Sequence, residues 1–542
     1  MITDPPTFSQ ELNFDILKPW QVPACKRIIE CIKEASKLPH NIQKRGHILV
    51  APTRTGKTFT VFHAIAEAQR LGFLGSPYDK AKFGGDDLRF AKVLIIGTKS
   101  LYTQHTRVAK QLGVKDFMVT SYSGLRAALG RIFIDWIKGL EYGVLVEKPF
   151  WNEEFKPDVL ILDEVQFIKN YKSQAAEIVR AAIEQGILCI MMSATPGVTI
   201  DEMKLVCLGC KLCSSESWKE FSWSFCGKNG PTEISPTNMA RLNTYFEEQK
   251  VISRHENITY LHKVFNKCLI VPFQNEEKRD AYNNLYNNLL AELRKIKKNE
   301  PQGIAKVWAK IRVFRMGAEI LKVDILGNEG HHYVNDPTKP KQVLIASNYV
   351  DTLIALWNYL TKELKVPPKD IVHLTGSVNT LDRQVAIDKF QHGKAKYFLT
   401  TIKAGGVGLS LHHEFKEALP RVVLLPPTYS GPEMAQVLGR AHGPTSLSTT
   451  HQFIVWYRGT IEESVAERAA SRFKCMKELY AKRETFFDVF ENIASEDIER
   501  LEKEFEAGAG ARPTEDEPEE DKFDENMFSI DNIGDSSVEV VK

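Results

Sequence analysis

The sequence predicts an α/β fold of two lobes, each a mostly parallel sheet with helices on both faces, with a helical insert and a disordered acidic C-terminal tail. Three observations lead there. Short apolar runs of strand character alternate with segments of helical periodicity along both halves. The 542 residues suffice for two to four domains at about 100–200 residues each. Charge is uneven: residues 511–542 hold 11 acidic and 3 basic side chains, so a formal charge of +2 overall leaves +10 on residues 1–510. A basic body with an acidic tail is compatible with a nucleic-acid partner.

Composition excludes several classes. A hydrophobic share of 43% with 26% charged residues fits a globular protein. No apolar run approaches the ~18–20 residues of a membrane helix, and the start MITDPPTFSQELNFD is too polar for a signal peptide. No membrane partner is expected, and the location is intracellular: nucleus, cytoplasm or virion. The nine cysteines are odd in number and scattered, which argues for reduced thiols.

The first chemical signal is GHILVAPTRTGKTFTVFHAI, residues 46–65. Ile48, Leu49 and Val50 read as a buried strand, and Phe59 to Arg70 as a helix with Phe59, Phe62, Ile65 and Ala66 at helical spacing. A tight loop between strand and helix N-terminus lets backbone N–H groups converge on a phosphate. Within it Thr53, Arg54, Thr55 and Gly56 line the loop; Gly56 permits close approach, Lys57 reaches the outer phosphates, and Thr58 offers a hydroxyl to magnesium. The first glycine of the general pattern is replaced by Ala51.

About a hundred residues on, Asp158-Val-Leu-Ile-Leu-Asp163-Glu164 is an apolar strand ending in two carboxylates. Asp163 can hold magnesium and Glu164 can orient or deprotonate an attacking water. The pair, placed after such a loop, predicts a nucleoside triphosphatase.

DEVQFIKNYKS, from Asp163, resembles the corresponding segment of Swi/Snf-type ATPases in the superfamily 2 helicase group. APTRTGKT also resembles the form that superfamily uses. In order along the chain, the resemblance covers Leu17-Lys-Pro-Trp20-Gln21, VLIIGTKS (93–100), VTSY (119–122), MSATP (192–196), KQVLIAS (341–347) and LTGS (374–377). It continues with Arg383, Ile387 to Phe390, TTIKAGGVGLS (400–410), QVLGRAH (436–442) and RGTIEE (458–463).

It implies two RecA-like lobes with ATP and Mg2+ as cofactors. Gln21 would read adenine, Gln166 and Arg440 would sense the γ-phosphate, and Gly408 and Gln436 would help hold the nucleotide. Thr98, Lys99, Ser121, Thr375, Gly376, Thr401 and Lys403 would contact the nucleic acid. The implied activity is ATP-driven translocation along nucleic acid, with duplex DNA favoured over strand separation of DNA or RNA. An ATP-gated clamp with weak turnover is the alternative of another class.

The expected boundaries are 1–225 for the first lobe, 226–338 for the helical insert, 339–490 for the second lobe and 491–542 for the tail. Two departures accompany the resemblance. Gly443 stands where the family's last motif has its second arginine, which predicts slower or partner-dependent hydrolysis. The APTRTGKT loop and SATP are of general superfamily type, a hybrid similar to helicases of large DNA viruses.

Four segments remain ambiguous at this level. Cys207, Cys210, Cys213 and Cys226 have a spacing that admits zinc, but their place after SATPG predicts core and loop thiols. Residues 294–315 carry eight cations against Glu300 and read as a phosphate-contacting insert or a solvated face. Leu326 to Pro340 reads as a turn-rich entry to the second lobe, with His331 and His332 as loop residues. The tail's Phe523, Met527, Phe528, Ile530 and Ile533 could dock a protein partner or fold back on the basic groove, against the plainer reading of a solubilising tail.

Overall fold

Strand-forming apolar runs assemble into two separate parallel sheets. The computed structural model describes residues 14–39, 41–74, 92–125, 133–141, 144–153, 156–295, 303–376, 378, 380–406 and 409–480. Among these, the residues up to Ile258 together with those from Cys475 form one unit, and Thr259–Lys474 the other. The tail lies outside the described residues, as do Lys297, Lys298, Glu300 and Gly408.

The first unit holds β1 (His47–Val50), β2 (Val93–Gly97), β3 (Phe117–Ser121), β6 (Val159–Asp163), β7 (Leu188–Ser193) and β8 (Ile252–Arg254) in the order β3-β2-β6-β7-β1-β8. Every neighbouring pair is parallel. Both faces are covered, so β2, β6 and β7 are buried from end to end, as a parallel sheet requires. The core joins Ile28, Phe62, Ile65, Ile95, Ile161 and Ile190. Between β3 and β6 the chain makes an antiparallel hairpin of β4 (Ile134–Glu141) and β5 (Val144–Trp151). Cys207 and Cys210 are fully buried, and burial pushes both thiols well above their ordinary range. Among the described residues no group of His, Cys, Asp and Glu has the arrangement of a metal site.

The second unit holds β9 (Val264–Val271), β10 (Gln342–Ser347), β11 (Ile371–Leu374), β12 (Tyr397–Thr401), β13 (Arg421–Leu425) and β14 (Thr450–Tyr457) in the order β11-β12-β10-β13-β14-β9, again all parallel. β8 belongs to the first sheet and β9 to the second, so the segment 226–338 is divided between the units. Helices Glu276–Lys295 and Gly303–Ile320 pack on each other through Tyr282, Leu289, Phe314 and Ala318.

Residues 326–334 correct the sequence reading, whereas 335–340 are turn and bend ahead of β10. Val323–Val334 is a helix, and His331 and His332 sit in its last turn. The glycines that suggested turns serve close packing: a Cβ on Gly327 would lie 2.6 Å from the Tyr359 ring, and one on Gly330 would lie 3.2 Å from Ile345. Small residues there let the helix approach its neighbours.

Candidate active site

The loop after β1 is built as a phosphate cradle. Arg54 and Gly56 both take left-handed backbone angles, φ +67° and +87°, which fold the chain tightly ahead of helix Lys57–Arg70. Thr55 Oγ1 closes the turn by donating to Pro52 O at 2.9 Å. The buried Lys57 ammonium donates into the loop, to Ala51 O at 3.0 Å and Pro52 O at 3.1 Å. Thr53, Arg54 and Thr58 are part-exposed around it.

Gln21 lies against this loop. Its Nε2 donates to Thr55 O and Gly56 O, each at 3.2 Å, while its Oε1 accepts from Lys18 N at 2.8 Å. Trp20 Nε1 also donates to Thr55 O. A Cβ on Gly56 would lie 2.2 Å from Gln21 Nε2, so glycine is required both by its φ and by this neighbour. His255, just beyond β8, bridges the loop to the helix: Nδ1 pairs with Thr55 Oγ1 at 2.9 Å and Nε2 with Thr60 Oγ1 at 3.0 Å. Burial first, then the Lys57 charge, push its pKa down to about 3, so it is a neutral spacer.

Asp163 ends β6, and Glu164 follows in the left-handed region at φ +54°. The Asp163 carboxylate is held on both oxygens: Oδ1 accepts the Glu164 N–H at 2.9 Å, and Oδ2 lies 2.7 Å from His105 Nε2. Tyr122 donates to the Asp163 carbonyl at 2.9 Å, and burial and the two carboxylates push that phenol well above its usual range. From Glu164 a bonded chain runs outward. Gln166 Nε2 donates to Glu164 Oε2 at 2.8 Å, Ser193 Oγ donates to Gln166 Oε1 at 2.6 Å, and Thr195 N donates to Ser193 Oγ at 2.8 Å. The carboxylate pair is thereby tied to SATP.

Thr98 and Lys99 follow β2 and Ser121 ends its neighbour β3, so these three share one edge of the first sheet. In the second unit, Thr375 and Gly376 follow β11, and Thr401 ends the adjacent β12 with Lys403 exposed beyond it. Gln436 is buried on helix Gly431–Ala441, and Arg440 of that helix donates from Nε (3.0 Å) and Nη2 (2.8 Å) to Gly406 O. Gly443 lies in a tight turn, its N–H on Ser446 Oγ at 2.9 Å. His105 and His255 were missed by the sequence reading; nothing in the local pattern marks either, because each meets its partner only through the fold.

The donor set fits a nucleotide with magnesium: a lysine ammonium inside a left-handed glycine loop, with hydroxyl and carboxylate oxygens, the hard ligands that magnesium takes. Residues 322–443 match the helicase conserved C-terminal domain. Over 411 residues the chain is 23% identical to a putative ATP-dependent RNA helicase of Acanthamoeba polyphaga mimivirus, covering 70% of this chain and 74% of that protein. Among solved structures it is similar to the SWI2/SNF2 ATPase core domain of Sulfolobus solfataricus at 16% identity and a TM-score of 0.33, covering 90% of this chain and 94% of that one.

Residues 322–443 thus carry the helicase C-terminal domain, and with the loop after β1 they mark an enzyme that hydrolyses ATP, similar to helicases. Within that class, its similarity to the mimivirus protein spans most of both chains. No described helix is long and apolar enough to cross a membrane.

Proposed function

We propose that the chain is a translocase that spends ATP to move along nucleic acid, with duplex DNA as its leading track. The observation that carries this reading is the chain of bonds from Glu164 through Gln166 and Ser193 to Thr195. A hydrolytic carboxylate wired to SATP has a route by which a change at the γ-phosphate alters distant backbone. Lys57 and the loop N–H groups hold the phosphates, and Glu164 orients water. Thr58 and Asp163 would hold magnesium, which when bound neutralises phosphate charge. Arg440 would sense the γ-phosphate, as expected from its motif, and Gln21 would fix the loop that faces the base.

A second reading, strand separation on RNA, draws support from the description of the mimivirus relative. Steady-state ATPase with duplex DNA, single-stranded DNA and RNA, with Lys57→Ala as blank, tests both. Stimulation by duplex DNA without strand displacement supports translocation. Stimulation by RNA with strand displacement replaces it by the second reading. Turnover unaffected by any nucleic acid would overturn both.

A further inference from the structure

The C-terminal edge of the second sheet carries an arginine cluster that the motifs leave unexplained. Helix Gly303–Ile320 is tied to the residue after β10, because Glu319 accepts from Asn348 N at 2.9 Å and Nδ2 at 2.7 Å. From this helix Arg315 lays its guanidinium over the Tyr429 ring, 4.4 Å from the centroid. Arg468, from helix Ile461–Leu479, stands 5.9 Å from the same ring. Arg312, one turn before Arg315, is exposed, and both charges act on Tyr349.

Among the described residues no carboxylate lies within ion-pair distance of Arg312 or Arg315, whereas Lys295 and Lys310 are both spent on Glu292 at 2.8 Å. The arginines are therefore the part of the basic insert with charge to offer. Tyrosine faces hold guanidiniums in place, which lowers the entropy cost of engaging an anion.

The place of the cluster selects the anion. Thr375 follows β11, Thr401 ends β12, Tyr349 follows β10 and Tyr429 follows β13, and these strands are neighbours in that order. At about 4.8 Å per strand the edge spans roughly 14 Å, the length of about four nucleotides of a strand rising ~3.4 Å each. Ligands of open parallel sheets bind beyond the carboxyl ends of the strands.

We propose that Arg315 and Arg468, both on Tyr429, and Arg312, beside Tyr349, bind successive phosphates of the nucleic-acid strand and extend the expected contacts of Thr375, Thr401 and Lys403 across this edge. The inference rests on the proposed nucleic-acid function. The phosphates of a free nucleotide share the same chemistry, so the test separates the two sources.

Binding of short fluorescent DNA and RNA to the full chain, without nucleotide, is measured over about 50–200 mM salt, alongside binding of a fluorescent ADP analogue. The variant Arg312→Gln/Arg315→Gln/Arg468→Gln is expected to bind oligonucleotide about tenfold or more weakly. Its salt dependence should be shallower by roughly 0.7–0.9 per lost contact, with ADP affinity unchanged. The corresponding triple lysine variant should recover most of the slope. If the triple glutamine variant melts early, Arg312→Gln alone, at an exposed position, should still lose about one contact of slope. Equal affinity and slope for wild type and variant would overturn the cluster alone. Loss of ADP binding with oligonucleotide binding intact would reassign it to the nucleotide, and a wild type that binds neither DNA nor RNA would remove the functional reading beneath it.

Discussion

Two histidines in the first unit are held neutral by burial, and this gives the unit an acid limit. His47 in β1 pairs with Ser253 Oγ at 2.7 Å, and burial, with Arg27 adding to it, pushes its pKa down to about 3. His255 is likewise at about 3. Both are lowered from the ordinary 6.5, so between pH 6.5 and 3 the unfolded chain binds protons that the folded chain does not. Their stabilisation is complete above pH 6.5 and is lost progressively as pH falls toward 3, at up to about 1.4 kcal/mol per pH unit for each histidine. Urea unfolding at pH 7 and pH 5 should show this loss, and His47→Gln/His255→Gln should be less stable at pH 7 yet flatter with pH. An equally steep pH dependence in the double variant would contradict the assignment.

At the scale of elements, what was legible in the sequence had local causes. The loop from Ala51 to Thr58 and the strand ending at Asp163 were readable because apolar runs and glycine chemistry act over a few residues. The helix Val323–Val334 was misread because Gly327 and Gly330 look like turn residues unless their neighbours Tyr359 and Ile345 are known. His105 was invisible for the same reason: its partner Asp163 is 58 residues away in sequence. Gly97 shows how closely that pairing is packed, since a Cβ there would come within 2.7 Å of the His105 ring.

The wiring between elements makes a prediction of its own. Ser193 Oγ is buried, donates to Gln166 and accepts from Thr195, so Ser193→Ala removes two hydrogen bonds and breaks the chain from Glu164. At about 0.5–1.5 kcal/mol for each lost hydrogen bond, roughly tenfold of nucleic-acid-stimulated kcat should disappear. KM for ATP should stay within about twofold, because the cradle at Lys57 is untouched. Equal loss in KM would mean that Ser193 supports nucleotide binding and not transmission.

At the scale of the whole molecule, the charge available to a transferring phosphoryl group would set the turnover of the proposed enzyme; Arg440 is its candidate source, and Gly443 stands where a second arginine is expected. Gly443 is not a gap waiting for a side chain: its N–H is taken by Ser446 Oγ, and its carbonyl accepts from Ser446 N at 3.1 Å. The turn after helix Gly431–Ala441 is braced further, with His412 Nε2 3.2 Å from Thr445 Oγ1 and Leu447 N donating to His413 O at 2.8 Å. A turn bonded this way holds its conformation without an arginine, so the expected deficit would fall on chemistry rather than folding. A lost arginine can cost about 10³ or more in rate, which is more than binding elsewhere restores without a partner. Gly443→Arg should therefore raise basal kcat several-fold with little change in KM for ATP, read by steady-state hydrolysis without nucleic acid and checked against an unchanged melting curve. If the wild type already turns over briskly and Gly443→Arg leaves it unchanged, Arg440 alone suffices and dependence on a partner has no basis in this turn.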